Sequence, residues 1–164
     1  MPDQEASSLG DRARQIMAIS GNCAQSCFAA LTEHLGVDAD DTLKALTPFP
    51  GGIALRGETC GAVVGSLMAI GVMLGRDRLD DQPGMQPSLA AAREFCRSFE
   101  TKFGGTSCRE VLREGLGGEF DLASSDGLAA YVEAGGHRHC SDVVDHSVVT
   151  AAKMIGRQTT PGTG

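Results

Sequence analysis

Residues 57–71, Gly57-Glu58-Thr59-Cys60-Gly61-Ala62-Val63-Val64-Gly65-Ser66-Leu67-Met68-Ala69-Ile70-Gly71, place a cysteine at the head of a long apolar segment studded with small residues. The pattern predicts a buried helix carrying a thiol at its first turn. Gly61, Gly65 and Ala69 recur every four residues, so one stripe of this helix has almost no side chain and lets a neighbour approach closely. That neighbour could be another backbone or a cofactor, and the striped face could equally be the seam of a homodimer. Glycine inside a helix costs roughly 0.5–1 kcal/mol relative to alanine, and repeated acceptance of that cost argues that the close approach is needed. At a helix N-terminus, unpaired N–H groups and partial positive charge favour thiolate, the form that ligates metals or attacks disulfides. Cys60 is the first candidate site residue on this argument.

The rest of the chain reads as further helices. Ser7 or Ser8 can cap a helix over 9–19, with Leu9, Ala13, Ile16 and Met17 as its buried stripe. Asn22 is a good N-cap for a second helix ending near Leu35 and Gly36, which sets Cys23 at a first turn and Cys27 on the same face. Cys27 reads as a small core hydrophobe. A short helix over 38–46 breaks at Thr47-Pro48-Phe49-Pro50-Gly51-Gly52, a loop whose backbone N–H groups could fold over a buried anion or which could simply be a turn. Arg56 and Glu58 read as a solvated pair beside it. After a polar loop over 76–87, a helix from Ser88 to about Phe103 carries Leu89, Ala92, Phe95, Cys96 and Phe99 inward, so Cys96 is expected to be buried. Gly104-Gly105 ends it, and Thr106 or Ser107 caps the next helix with Cys108 at its start. A short helix follows over 126–133, then His137-Arg138-His139-Cys140 opens a final amphipathic helix with Val143, Val144, Val148, Ala151 and Ala152 inward. His137 and His139 beside Cys140 lack the paired spacing of a zinc finger, and Cys140 stands as an accessory residue to a buried centre. His34 sits in a last helical turn and His146 on a helix flank.

These segments predict an all-α fold, a single-domain bundle of about five to seven helices around a buried cysteine site, over 1–157, with a mobile tail over 158–164. Length allows one domain with a real core: 164 residues and 17.0 kDa. The net charge of −7, with Lys and Arg scattered singly, provides no basic stripe for a phosphate backbone, so nucleic acid is not an expected partner. The N-terminal residues lack a secretory signal pattern, and the apolar run over 62–74 is too short to span a bilayer of about 30 Å. A soluble, cytoplasmic protein is expected, in which six cysteines are reduced thiols serving metal or redox chemistry. No G-x-S-x-G elbow, Walker loop, H-E-x-x-H or G-x-G-x-x-G is present, so the chemistry rests on sulfur.

The run Cys60-Gly61-Ala62-Val63-Val64-Gly65 resembles the signature of the C_GCAxxG_C_C family of redox-active proteins, with Thr59-Cys60-Gly61-Ala62 standing where the family name spells Gly-Cys-Ala. Asn22-Cys23-Ala24-Gln25-Ser26 resembles its first cysteine segment, Phe49-Pro50-Gly51-Gly52 its Gly-rich approach, and Cys96 with Cys108 its later cysteines, over about residues 20–155. The resemblance implies a small helical redox protein with an iron–sulfur centre and a segment related to split-Soret-type cytochromes, and no particular enzymatic reaction. It implies Cys23, Cys60, Cys96 and Cys108 as ligands of a [2Fe–2S] or [4Fe–4S] cluster serving electron transfer or redox sensing with a partner protein. Two alternatives stay open. One is a metal-free thiol–disulfide oxidoreductase with Cys60 as the low-pKa cysteine; the other is a structural four-cysteine zinc module.

Overall fold

Helix-forming segments with strong local stop signals account for nearly every element of the chain. The computed structural model describes Met1 and residues 3–159. Eight α-helices lie in this part: α1 Asp3–Ser20, α2 Cys23–Leu35, α3 Asp40–Ala45, α4 Gly61–Leu74, α5 Gln86–Phe103, α6 Cys108–Leu116, α7 Ser125–Glu133 and α8 Gly136–Thr159. There is no β-strand among the described residues, and the chain is one all-α domain. The short helices expected over 38–46 and 126–133 are both present, as α3 and α7, and they bring the helices among the described residues to eight, one more than the upper end of the five to seven expected.

The predicted caps do much of this work. Asn22 Oδ1 accepts from the N–H groups of Ala24 and Gln25, and Gly36 closes α2 in the left-handed region. Ser107 forms a full capping box with Glu110 at the start of α6. Two starts come earlier than the sequence suggests. α1 begins at Asp3, with Ser8 Oγ donating to the Glu5 carbonyl within the helix instead of capping it. α5 begins at Gln86, because Pro87 in its first turn lacks only an N–H that would have no helical partner. At the other end, Gln158 and Thr159 belong to α8, and the rest of the expected tail, 160–164, lies outside the described residues.

The core is built where α1, α2, α4 and α8 pack together, with α5 laid against α4 and α8. Phe28, Leu31, Val63, Ile70, Val143, Val144, Val148 and Ile155 are essentially inaccessible to solvent. α5 contributes Phe95, Phe99 and Phe103, a ladder at four-residue spacing with ring centroids 6.0 and 4.8 Å apart. Arg14 on α1 reaches Asp142 at 2.6 Å and Asp145 at 2.5 Å on α8, pinning the two helices at the surface. The small-residue stripe of α4 faces α2. A Cβ at Gly65 would lie 2.1 Å from the Ala24 carbonyl oxygen, and one at Gly61 would lie 3.2 Å from Cys23 Cβ. Another backbone of the same chain therefore occupies the stripe, leaving it available neither as a cofactor wall nor as a dimer seam. No helix among the described residues is long and apolar enough to cross a membrane.

Candidate thiol centre

The chain enters α4 through a segment with unusual backbone geometry. Gly51, Gly52, Ile53, Ala54 and Leu55 all have positive φ, between 53° and 72°, a five-residue turn in the left-handed range. For a residue with a Cβ this conformation costs roughly 1–2 kcal/mol, so three such residues in a row must be held by their surroundings. Ala54 N–H donates to the Pro48 carbonyl, Leu55 to Pro50, Gly57 to Gly51 and Glu58 to Gly52, at 2.9–3.0 Å. Only glycine fits at position 52, where a Cβ would lie 2.7 Å from Cys108 Cβ. Within the expected loop, Thr47 N–H donates to the Lys44 carbonyl and Phe49 N–H to the Leu46 carbonyl, and beyond it the N–H groups from Ile53 to Glu58 are likewise taken up by backbone carbonyls.

What the turn does is deliver residues 57–60 alongside residues 106–109. Cys60 N–H donates to the Thr106 carbonyl at 2.8 Å, Cys108 N–H to Glu58 at 2.6 Å, and Arg109 N–H to Gly57 at 3.2 Å. A single antiparallel bridge between Thr59 and Ser107 completes the join. Cys60, the N-cap of α4, is thereby fixed beside Cys108, the first residue of α6. On the other side, the absent side chain of Gly61 lets Cys23, the first residue of α2, come up against the start of α4. α8 adds Cys140, just beyond its first turn.

All six cysteines are free thiols. Cys60 and Cys108 are buried, and Cys23 and Cys140 are partly exposed at the edge of the same group. Their electrostatics couple them to one another, and Cys27 in the core beside them also acts on Cys23 and is itself raised by burial and then by Cys60. Burial pushes Cys60 up to about 12, outweighing the N–H groups of Ala62 and Val63 that favour its thiolate. Burial also raises Cys108, with Cys60 and Cys140 adding to the shift. Cys23 is held well above the ordinary thiol value, first by its hydrogen bond to Cys140 and then by burial. Cys140 alone is lowered, by hydrogen bonds from Cys23 and from Tyr131, whose hydroxyl lies 3.2 Å from Cys140 Sγ. The thiol most inclined to ionise is thus Cys140 and not Cys60.

Of the four cysteines expected to act together, Cys23, Cys60 and Cys108 meet, and Cys96 stands apart. The inner face of α5 is set by Phe95, Phe99 and Phe103, and a residue one position from Phe95 is turned about 100° away. Cys96 is accordingly only half-buried, raised by burial and by Glu100, with none of the other thiols acting on it. Cys140 takes its place in the group. Cys27 is a core residue, fully buried with its Sγ 3.9 Å from the Val144 carbonyl oxygen. His139 Nε2 pairs with the Val111 carbonyl at 3.2 Å, and the His137 ring stands edge-on to Tyr131, so neither histidine is paired with a thiol. Tyr131 was not singled out by sequence; the available signal was that it is the lone tyrosine of an aromatic-poor chain, nine residues before Cys140. Among the described residues no group of three or more His, Cys, Asp or Glu side chains is placed so that it could hold a metal ion.

A small all-α protein with thiols gathered at its helix starts is the class that the fold and the site define. The chain belongs to the family described as "Putative redox-active protein (C_GCAxxG_C_C)", which matches residues 21–154. It is also 28% identical over 164 residues to an uncharacterized protein of Archaeoglobus fulgidus, covering 96% of this chain and 99% of that relative. No solved structure matches it.

Proposed function

We propose that this redox-active family member carries an iron–sulfur cluster on Cys23, Cys60, Cys108 and Cys140 and serves electron transfer or redox sensing. The observation that carries the reading is the convergence of four thiols from four helices, three of them at or immediately before a first helical residue. Four cysteine sulfurs are the donor set that both [2Fe–2S] and [4Fe–4S] clusters take, so the chemistry of the residues fits the group. Helix starts favour the net negative charge of a thiolate-bound cluster. A bound cluster supplies one-electron chemistry. The chain itself supplies the sulfurs, a largely buried setting, and a hydrogen bond from Tyr131 to one of them. In the metal-free arrangement these thiols are not placed to hold a metal ion, so a cluster or a zinc ion alike requires the four side chains to draw together.

The electrostatic coupling of Cys23 with Cys140, which raises the one thiol and lowers the other, favours a second reading, thiol–disulfide exchange without metal. The Cys140 thiolate would attack a substrate disulfide, break its S–S bond and form a mixed disulfide. The Cys23 thiol, giving its proton to the departing thiolate, would then attack the Cys140 sulfur and release the second substrate thiolate. Two electrons pass to the substrate and one disulfide forms in the protein.

Anaerobic reconstitution followed by iron and sulfide analysis separates the two. On the first reading, Cys23→Ala, Cys60→Ala, Cys108→Ala and Cys140→Ala lose cluster loading, while Cys27→Ala and Cys96→Ala load as the wild type does. Loading that survives Cys140→Ala but not Cys96→Ala overturns this ligand set, and a wild-type chain with no iron or sulfide leaves the exchange reading.

A further inference from the structure

Tyr131 ends its hydrogen-bonding search at a sulfur. The residue is 6% exposed, and its hydroxyl donates to Cys140 Sγ at 3.2 Å, with no carbonyl or carboxylate competing for the proton. Its ring is clamped edge-on by Phe120 at 6.2 Å and by His137 at 5.4 Å between centroids. Room for it comes from Gly136, where a Cβ would fall 2.1 Å from the tyrosine ring. Burying a phenol requires a partner for its O–H, and a ring fixed on several sides can aim that O–H without further ordering. The link between α7 and α8 is only Ala134 and Gly135, so the two residues stand on consecutive, closely joined helices.

We propose that Tyr131 is a positioning residue that holds the Cys140 sulfur and raises the reduction potential of the thiol centre through its hydrogen bond. The proposal rests on Cys140 belonging to the centre described above. A donor O–H stabilises negative charge on sulfur, and that charge is greater in the reduced state of either chemistry. In a cluster, hydrogen bonds to the ligand sulfurs are among the determinants of potential. In a dithiol, the hydrogen bond from Tyr131 is stronger to the reduced Cys140 sulfur than to a disulfide sulfur, and stabilising a reduced form makes the pair a stronger oxidant. Both chemistries therefore give the same sign.

The test is Tyr131→Phe, which keeps the clamped ring and removes only the donor. Iron and sulfide content after anaerobic reconstitution reads the cluster assignment. The midpoint potential reads the tyrosine, by optical titration of the loaded protein and, separately, by equilibrating the metal-free protein with a glutathione redox buffer. The variant is expected to load iron as the wild type does, and to favour the oxidised state about tenfold more, a fall of about 59 mV for one electron or about 30 mV for two. Equal potentials in wild type and variant overturn the proposal. Should the wild type hold no iron, or the variant alone fail to load, the glutathione titration decides: a lower midpoint in the variant supports the role, and an unchanged one overturns it. A wild-type chain that yields neither a cluster nor a Cys23–Cys140 disulfide couple overturns the role together with the reading beneath it.

Discussion

The start of α4 and the start of α8 both present a cysteine to the same buried group, yet they treat it in opposite ways. Cys60 stands at the N-cap of α4 and has the N–H groups of Ala62 and Val63 turned toward it, but burial still drives it up to about 12. Cys140 lies deeper in its helix, and side-chain donors, Cys23 and Tyr131, bring it below the ordinary thiol value. Helix-terminal charge is worth about 0.3–1 kcal/mol at exposed positions, and removing a thiolate from water can cost more than that. Specific donors aimed at the sulfur are what tip the balance at Cys140.

That contrast depends on α2 and α4 holding Cys23 and Cys60 in place, and the most disruptive way to break it is Gly65→Leu. A Cβ there already overlaps the Ala24 carbonyl, with 2.9 Å to its carbon and 3.0 Å to its Cα, and these are backbone atoms that no rotamer change can move. The expected destabilisation is at the top of the roughly 1–3 kcal/mol range for overpacking, or beyond it. Thermal denaturation measures this, and an unchanged midpoint would remove the backbone contact from the account.

A second test sharpens the contrast by pH in the metal-free, reduced protein. Alkylation followed by mass spectrometry should show Cys140 reaching its half-maximal rate below pH 9, the ordinary thiol value, while Cys60 does not ionise until about pH 12. Stability carries the corresponding sign. Cys60 is raised in the folded chain, so its contribution is fully present below about pH 9 and is lost as pH rises toward 12. Cys23 and Cys108, also raised, act in the same direction. Cys140, lowered, contributes stability above the ordinary thiol value that is lost as pH falls through its folded value. Cys60→Ala should flatten the alkaline decline in urea midpoint; an unaltered slope would assign that decline to other groups.

What could be read in the sequence divides along the same line between local and tertiary causes. Asn22, Ser107, Gly36 and Gly104 act on their own helix ends, and each is found where its local pattern puts it. The meeting of Cys60 with Cys108 was legible only through the family resemblance, because it depends on Ile53, Ala54 and Leu55 adopting a conformation that their side chains disfavour. Periodicity grouped Cys96 with the inward residues of α5, since its position differs by one residue from the phenylalanine ladder that wins the inner face. The weight of Cys140 depends on which way α8 runs and on a tyrosine in the preceding helix. Neither has a local signature.

The smallest effect is expected from Asn22→Ala, which touches the contrast only through Cys23. Asn22 is 5% exposed and works in two directions: Oδ1 caps α2, and Nδ2 donates to the Thr47 carbonyl at 3.2 Å and to the Leu46 carbonyl at 3.5 Å. Removing an N-cap side chain typically costs about 1 kcal/mol, up to about 2, and the abandoned carbonyls weigh toward the upper figure. For a chain of this size, that corresponds to a fall in melting temperature of about 2–8 °C. The residue it frees is the first of α2, Cys23, the donor on which Cys140 leans. The half-maximal pH for Cys140 alkylation should therefore move up toward the ordinary thiol value while that of Cys60 stays where it was. A loss of stability with no movement at Cys140 would show that Tyr131 alone sustains the lowered thiol, and that Cys23 receives the consequence of that arrangement without causing it.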